Sequence, residues 1–186
     1  RRADIANHRA KIDGANRTAV FDDSMQANVA ARMDVEHALH GAIGRQEMRL
    51  YHQPIVDIAT GNVSGFESLI RWQRDGTIVA PGEFIPIAED TGMIGQLGEW
   101  ALNEALAELR RWIDDGVVAP STTISVNVSP RQIADPGFGD VVRRARSDLS
   151  SAGRPTQLVP RERQRHCRAG RVRLRCRTRA AGSLRT

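Results

Sequence analysis

Cysteine is nearly absent. Cys167 and Cys176 are the only two, and both lie near the C-terminal end with eight residues between them, a spacing that fits no common zinc or redox motif. A disulfide framework is thereby excluded, and the cysteine-free remainder suits a reducing compartment. Long apolar runs are absent too. None approaches the roughly 18 residues that a membrane-spanning helix needs, and the first residues show neither an initiator Met nor the charged-then-apolar pattern of a secretory signal. The expectation is a cytoplasmic piece of something longer, with no membrane segment of its own.

What is present is a soluble composition: 186 residues, 40% apolar and 26% charged, enough for one ordinary domain with a core. The net charge of +5 suggests a polyanion partner until it is located. Residues 161–186 hold ten Arg against the single acid Glu162, so the remainder of the chain is mildly acidic and offers no basic binding face on a folded body.

Periodicity divides the chain further. Residues 3–11 have helical spacing and end at Asp13-Gly14, and a short strand is predicted over 18–21. Residues 22–30 read as a linker entering a helix whose apolar face is Val35, Leu39, Ala42 and Ile43, with Gly44 to end it. Two strand-like runs, 48–58 and 63–72, flank the turn 59–62 and should pair as an antiparallel hairpin. Turns at Asp75-Gly76 and Pro81-Gly82 precede a short helix over 83–90 and a longer one over 94–115, striped by Leu97, Leu102, Leu106, Leu109 and Ile113. Residues 122–128 are β-branched and alternating, a strand, with Ser129-Pro130 set as N-cap and first residue of a helix. A last helix is expected over 140–149, and Gln157-Leu158-Val159 begins another strand. From Pro160 onward Arg alternates with small residues, and a disordered Arg-rich tail is expected over 160–186 because it cannot bury enough apolar surface to offset ordering entropy.

The order strand, strand, two helices, strand, helix, strand is a fragment of an alternating β/α architecture. Four blocks within it, Tyr51-His52-Gln53-Pro54-Ile55-Val56, Gly65-Phe66-Glu67-Ser68-Leu69-Ile70-Arg71-Trp72, Pro81 through Glu89, and Ser125-Val126-Asn127-Val128-Ser129, resemble the EAL family in order and spacing. The resemblance covers residues 34–159. Upstream, residues 1–22 resemble the C-terminal end of a GGDEF domain, with residues 23–33 as a linker helix. The fold class implied is α/β, an incomplete TIM-like (β/α) barrel.

The resemblance implies a phosphodiesterase that uses Mg2+ or Mn2+ to hydrolyse cyclic di-GMP to a linear dinucleotide. Oxygen ligands and a hard cation suit that chemistry because the phosphodiester is anionic and resists attack until its charge is neutralised. Glu67 and Asn127 fall at metal-ligand positions, and Gln53, Leu69, Arg71 and Pro86 at nucleotide-contacting ones. Arg71 suits a phosphate oxygen, Leu69 and Pro86 an apolar wall against a base, and Glu89 falls in the same region. As isolated residues they would read as a solvated surface acid, turn or strand-edge residues and a surface cation. Asn127 alone stands out, because Asn is depleted in strands. Ser68 replaces the Ala usual in the family.

Beyond Val159 the family's next metal-binding Glu, its adjacent Asp pair, its Lys and further acids have no counterpart here. The reading is therefore of a truncated and inactive member, with no catalytic residue assigned and with an end that looks like translation of a GC-rich gene in another frame. A fragment of a barrel with open edges is also expected to aggregate unless a partner completes it. Two alternatives stand beside this reading. One is a non-catalytic module that binds cyclic di-GMP or pairs with a second EAL domain. The other is a polyanion binder acting through the basic tail, for which nucleic acid is the poorer partner because the tail has no aromatic residues to stack on bases.

Overall fold

A computed structural model describes residues 23–150, 156–161 and 170–176. The expectations for residues 1–22, including the GGDEF resemblance, lie outside the described residues. The chain divides into two compact units, residues 1–41 and 42–186.

Among the described residues of the first unit a helix, α1, runs Asp23–Leu39. It spans both the expected linker and the start of the resembling region, so no break in secondary structure marks residue 33. Met25, Ala27, Ala30, Ala31 and Met33 are good helix formers, and their summed propensity extends the helix further toward the N-terminus than its apolar face alone predicts.

The second unit is built on the predicted hairpin. Strand β1 (Met48–Val56) pairs antiparallel with β2 (Val63–Arg74), in a register that sets Tyr51 opposite Leu69, His52 opposite Ser68 and Gln53 opposite Glu67. The turn is tied by Asp57, whose Oδ1 accepts from the backbone N–H groups of Ala59 and Thr60 at 3.0 Å each. β2 outruns its predicted end because Asp75 and Gly76, at φ 50° and 76°, turn the chain back into β3 (Thr77–Val79), which pairs with residues 72–74. That third strand was not expected. Three residues are too few for a readable alternation.

Helix α2 (Pro81–Thr91) starts with Pro81 at its first position, where Glu83 accepts from the Ala80 N–H at 3.2 Å, and it stops at Gly92 with φ 80°. Helix α3 (Ile94–Asp114) carries the predicted stripe and buries Leu97, Leu102, Leu106, Leu109 and Ile113. Strand β4 (Thr123–Val128) lies parallel to β2. Its Ile124, Val126 and Val128 complete one core with α3, in the strand, helix, strand arrangement that alternation implies. Gly65 makes the β2–β4 pairing feasible: a Cβ there would lie 2.2 Å from Thr123 Oγ1 and 2.6 Å from the Thr123 carbonyl oxygen.

After β4 the structure has two helices, one opened at Ser129-Pro130 and one that includes residues 140–149. Helix α4 (Pro130–Ala134) is held by a reciprocal cap: Ser129 Oγ accepts from the Gln132 N–H at 3.3 Å and Gln132 Oε1 accepts from the Ser129 N–H at 3.0 Å. Helix α5 (Phe138–Ser150) then lays Phe138, Val141, Val142 and Ala145 on the core.

The C-terminal segment departs from expectation. Strand β5 (Thr156–Arg161) extends through Pro160, and β6 (Gly170–Cys176) lies within the stretch read as disordered. β6 pairs antiparallel with both β4 and β5, giving a sheet ordered β1-β2-β4-β6-β5. The cause is legible afterwards: Arg171, Arg173 and Arg175 alternate with Val172, Leu174 and Cys176, a period of two that fits a strand. Among the described residues the sheet is open, with β1 and β5 at its edges, and the expected barrel is represented by a single parallel strand pair.

Candidate functional site

Side chains alternate across a strand, so the β1–β2 hairpin has two chemically distinct faces. Phe66 and His52 pack against Trp112 of α3 at 5.2 Å and 4.9 Å between ring centroids, and Trp72 meets Phe84 of α2 at 5.7 Å. That face is covered by helices. Tyr51, Gln53, Glu67, Leu69 and Arg71 occupy the other face, and on β4 the same alternation separates Asn127 from the core residues Val126 and Val128.

Glu67 and Asn127, sixty positions apart in the sequence, meet here. Asn127 Nδ2 donates to Glu67 Oε1 at 3.0 Å. The parallel register that sets Glu67 beside Ser125 places Asn127 two residues further along the same face, within reach of the carboxylate. Gln53 lies directly across from Glu67 on the opposite strand. Arg71 donates from Nη1 to the Ile70 carbonyl at 2.8 Å, and its guanidinium carbon sits 5.7 Å from the centre of the Tyr51 ring. A cation over an aromatic face gains about 0.5–1 kcal/mol at an exposed site, enough to bias a long side chain toward one orientation. Tyr51 is a residue that the sequence reading passed over.

Beside this face opens a largely apolar cleft of about 190 Å³. Leu69, Arg71, Glu89 and Asn127 line it, together with Ile85 and Gln132. Gln53, Glu67 and Pro86 do not. Pro86 lies on the exposed side of α2, whereas its neighbour Ile85 lines the cleft. Gln132 could have been found from Ser129-x-x-Gln132, whose spacing matches a capping box. Arg131, also unforeseen, joins α4 to the end of α2 by donating to the Glu89 carbonyl and, from Nη2, to Asp90 Oδ1 at 3.1 Å.

One carboxylate and one amide, both oxygen donors on a single face, are the ligand chemistry of a hard divalent cation such as Mg2+ or Mn2+. An arginine on the same face suits the phosphate that would accompany the ion. The strands thus bring one carboxylate, one amide and one guanidinium to a single face, Glu67 and Asn127 in contact.

Residues 36–159 match the EAL domain family. MucR of Pseudomonas aeruginosa, named as a bifunctional diguanylate cyclase/cyclic di-GMP phosphodiesterase, is 40% identical over 144 residues, covering 77% of this chain and 21% of MucR. The MucR phosphodiesterase solved as a c-di-GMP complex superposes with a TM-score of 0.59 at 39% identity, over 63% of this chain and 47% of that one. The EAL enzyme Bd1971, solved with cAMP and cyclic-di-GMP bound, gives a TM-score of 0.58 at 26% identity, over 79% of this chain and 38% of the other. This chain belongs to the EAL domain family. It spans about a fifth of the length of MucR. Among the described residues no helix is long and apolar enough to cross a membrane.

Proposed function

We propose that residues 36–159 are the nucleotide-facing part of a cyclic di-GMP phosphodiesterase domain, and that the 186-residue chain binds the dinucleotide without turning it over by itself. The observation that carries this reading is the meeting of Glu67 and Asn127 at 3.0 Å on the face that also holds Gln53 and Arg71. Arg71 holds a phosphate oxygen by charge-assisted hydrogen bonds, Gln53 offers an amide to the ligand from across the hairpin, and Leu69 provides apolar contact for a base. Pro86, placed on the exposed side of its helix, contributes less than the resemblance implies.

A divalent ion at this position supplies charge neutralisation of the phosphodiester and acidifies a water. Mg2+ is commonly held by one or two carboxylates plus substrate phosphates, so Glu67 and Asn127 would hold such an ion together with a phosphate of the ligand. Hydrolysis needs more. The chain carries no counterpart of the family's later Glu, Asp pair and Lys, so no base is assigned and turnover is not expected.

The test is labelled cyclic di-GMP mixed with purified chain shown by circular dichroism to be folded, with and without Mn2+. Saturable binding that Mn2+ strengthens, that Glu67→Ala leaves insensitive to Mn2+, and that yields no linear product supports the proposal. Linear product abolished by Glu67→Ala overturns the absence of turnover. No binding at any metal concentration overturns the site.

A further inference from the structure

The helix-facing side of the hairpin holds a part-buried polar chain that the resemblance does not explain, and its Ser68 also lines the cleft. Ser68, only 2% exposed, lies 3.2 Å from His52 Nδ1 through its Oγ. The other ring nitrogen, Nε2, lies against Glu108 Oε2 of α3, and the imidazole stands edge-on to Trp112 at an interplanar angle of 86°. Arg111 Nη2 approaches the second Glu108 oxygen at 3.6 Å. The Ser68 hydroxyl can either donate to Nδ1 or accept from it, so the contact survives in either tautomer of the ring.

The placement of this chain gives it a role. His52 and Ser68 are register partners, and the next pair along is Gln53 with Glu67. A slip of one residue between strands carries every side chain to the opposite face. Such a slip would bury Glu67 against α3 and leave the His52 and Ser68 groups without each other, and unsatisfied buried polar groups are costly. Glu108 extends the constraint to α3, whose Leu106 and Leu109 pack in one core with Ile124 and Val126 of β4, the strand that bears Asn127. The chain Ser68, His52, Glu108, α3, β4 therefore joins the two strands whose outer faces must present Glu67 and Asn127 together.

We propose that Ser68, His52 and Glu108 are positioning residues, a register lock that holds Gln53 and Glu67 where Glu67 can act with Asn127. The part of this inference that concerns ligand affinity rests on the reading of the site as a metal-assisted cyclic di-GMP site. The part that concerns register does not. The Ser at position 68 is then no neutral exchange for the family's Ala: in this chain it is the hydroxyl that the histidine requires.

Two readouts on the full chain test this. Cyclic di-GMP is titrated in the presence of Mn2+ against Ser68→Ala, His52→Phe, the double variant and Ser68→Thr, and amide hydrogen exchange is followed at Gln53 and Glu67. Ser68→Ala and His52→Phe should each weaken affinity about fivefold, and the double variant should be no weaker than the worse single one, as groups acting through one bond are non-additive. Ser68→Thr, which keeps the hydroxyl, should fall within about twofold of the parent, and in Ser68→Ala the two amides should exchange about tenfold faster. Losses that simply multiply in the double variant, or exchange unchanged from the parent, overturn the lock. If the parent shows no Mn2+-dependent binding, the functional reading fails, and the exchange result alone decides the register claim.

Discussion

Glu47 joins the entrance of β1 to the buried end of β2, and its charge has a calculable effect on stability. Its Oε2 accepts from the indole N–H of Trp72 at 2.9 Å, and the Arg45 guanidinium binds both of its oxygens, at 2.6 Å and 3.0 Å. The hydrogen bonds from Arg45 and then Trp72 hold the carboxyl well below its ordinary value of 4.5, at about 2. A carboxylate depressed on folding contributes stability that is complete above about 4.5 and is lost as pH falls through the folded value near 2. At roughly 1.4 kcal/mol per tenfold, the ceiling is about 3 kcal/mol. The side chain is 23% exposed, and solvent screening brings the expectation to about 1–2 kcal/mol. Glu47→Gln keeps an oxygen for the Trp72 N–H and removes only the charge. Urea unfolding followed by tryptophan fluorescence should therefore show the variant about 1–2 kcal/mol less stable than the parent at pH 7, with the gap closing as pH falls toward 2–3. A gap of the same size at both ends would mean that packing rather than charge is at work, and would refute the argument.

Three further outcomes follow from close contacts. Gly65→Ala places a Cβ 2.2 Å from Thr123 Oγ1 and 2.6 Å from backbone. It should cost about 1–3 kcal/mol in thermal or urea melts and, by parting β2 from β4, remove any Mn2+ enhancement of nucleotide binding. Gly98→Ala brings a Cβ within 1.7 Å of Gln132 Nε2, and Gln132 is buried and committed to the Ser129 cap. The expected loss is about 1 kcal/mol, that of a broken cap, with weaker cyclic di-GMP binding in the same titration because both residues line the cleft. Hydrogen bonds from the Thr60 and Ala59 backbone and the Thr60 hydroxyl lower the Asp57 carboxyl below its ordinary 3.8. The hairpin tip should therefore loosen as pH falls through the acid range, and Asp57→Asn should show at neutral pH the faster amide exchange at Ala59 and Thr60 that the parent shows only in acid.

The elements that were readable in advance share a cause: each hides one face against one neighbour. The β1–β2 hairpin, the Leu97-to-Ile113 stripe of α3 and the Ile124-Val126-Val128 side of β4 each bury a single face in one common core, so periodicity reports them. Strand β3 and helix α4 are too short to have a period. They are set instead by paired positive φ at Asp75 and Gly76 and by the Ser129–Gln132 cap, which are local chemistry. β6 shows the converse failure, where composition outweighed pattern: abundant Arg pointed to a solvated tail, although the residues between the arginines alternate as a strand does.

The site was legible in its parts and not in its assembly. Glu67 and Asn127 could be named from their blocks, but their contact depends on a parallel register, and that register depends on Gly65 passing close to Thr123. Pro86 shows the limit of carrying a role along the sequence, since a helix turns about 100° per residue and the neighbouring Ile85 faces the cleft instead. Ser68 shows that limit from the other side. Read in its block it is a small residue exchanged for another, and only its register partner His52, sixteen positions earlier, gives the hydroxyl a purpose. The hairpin thus uses one pair of strands twice, with oxygen donors on the outer face and a polar lock on the inner one. A change at His52, which does not line the cleft, should therefore reach the ligand by moving Glu67 rather than by touching it.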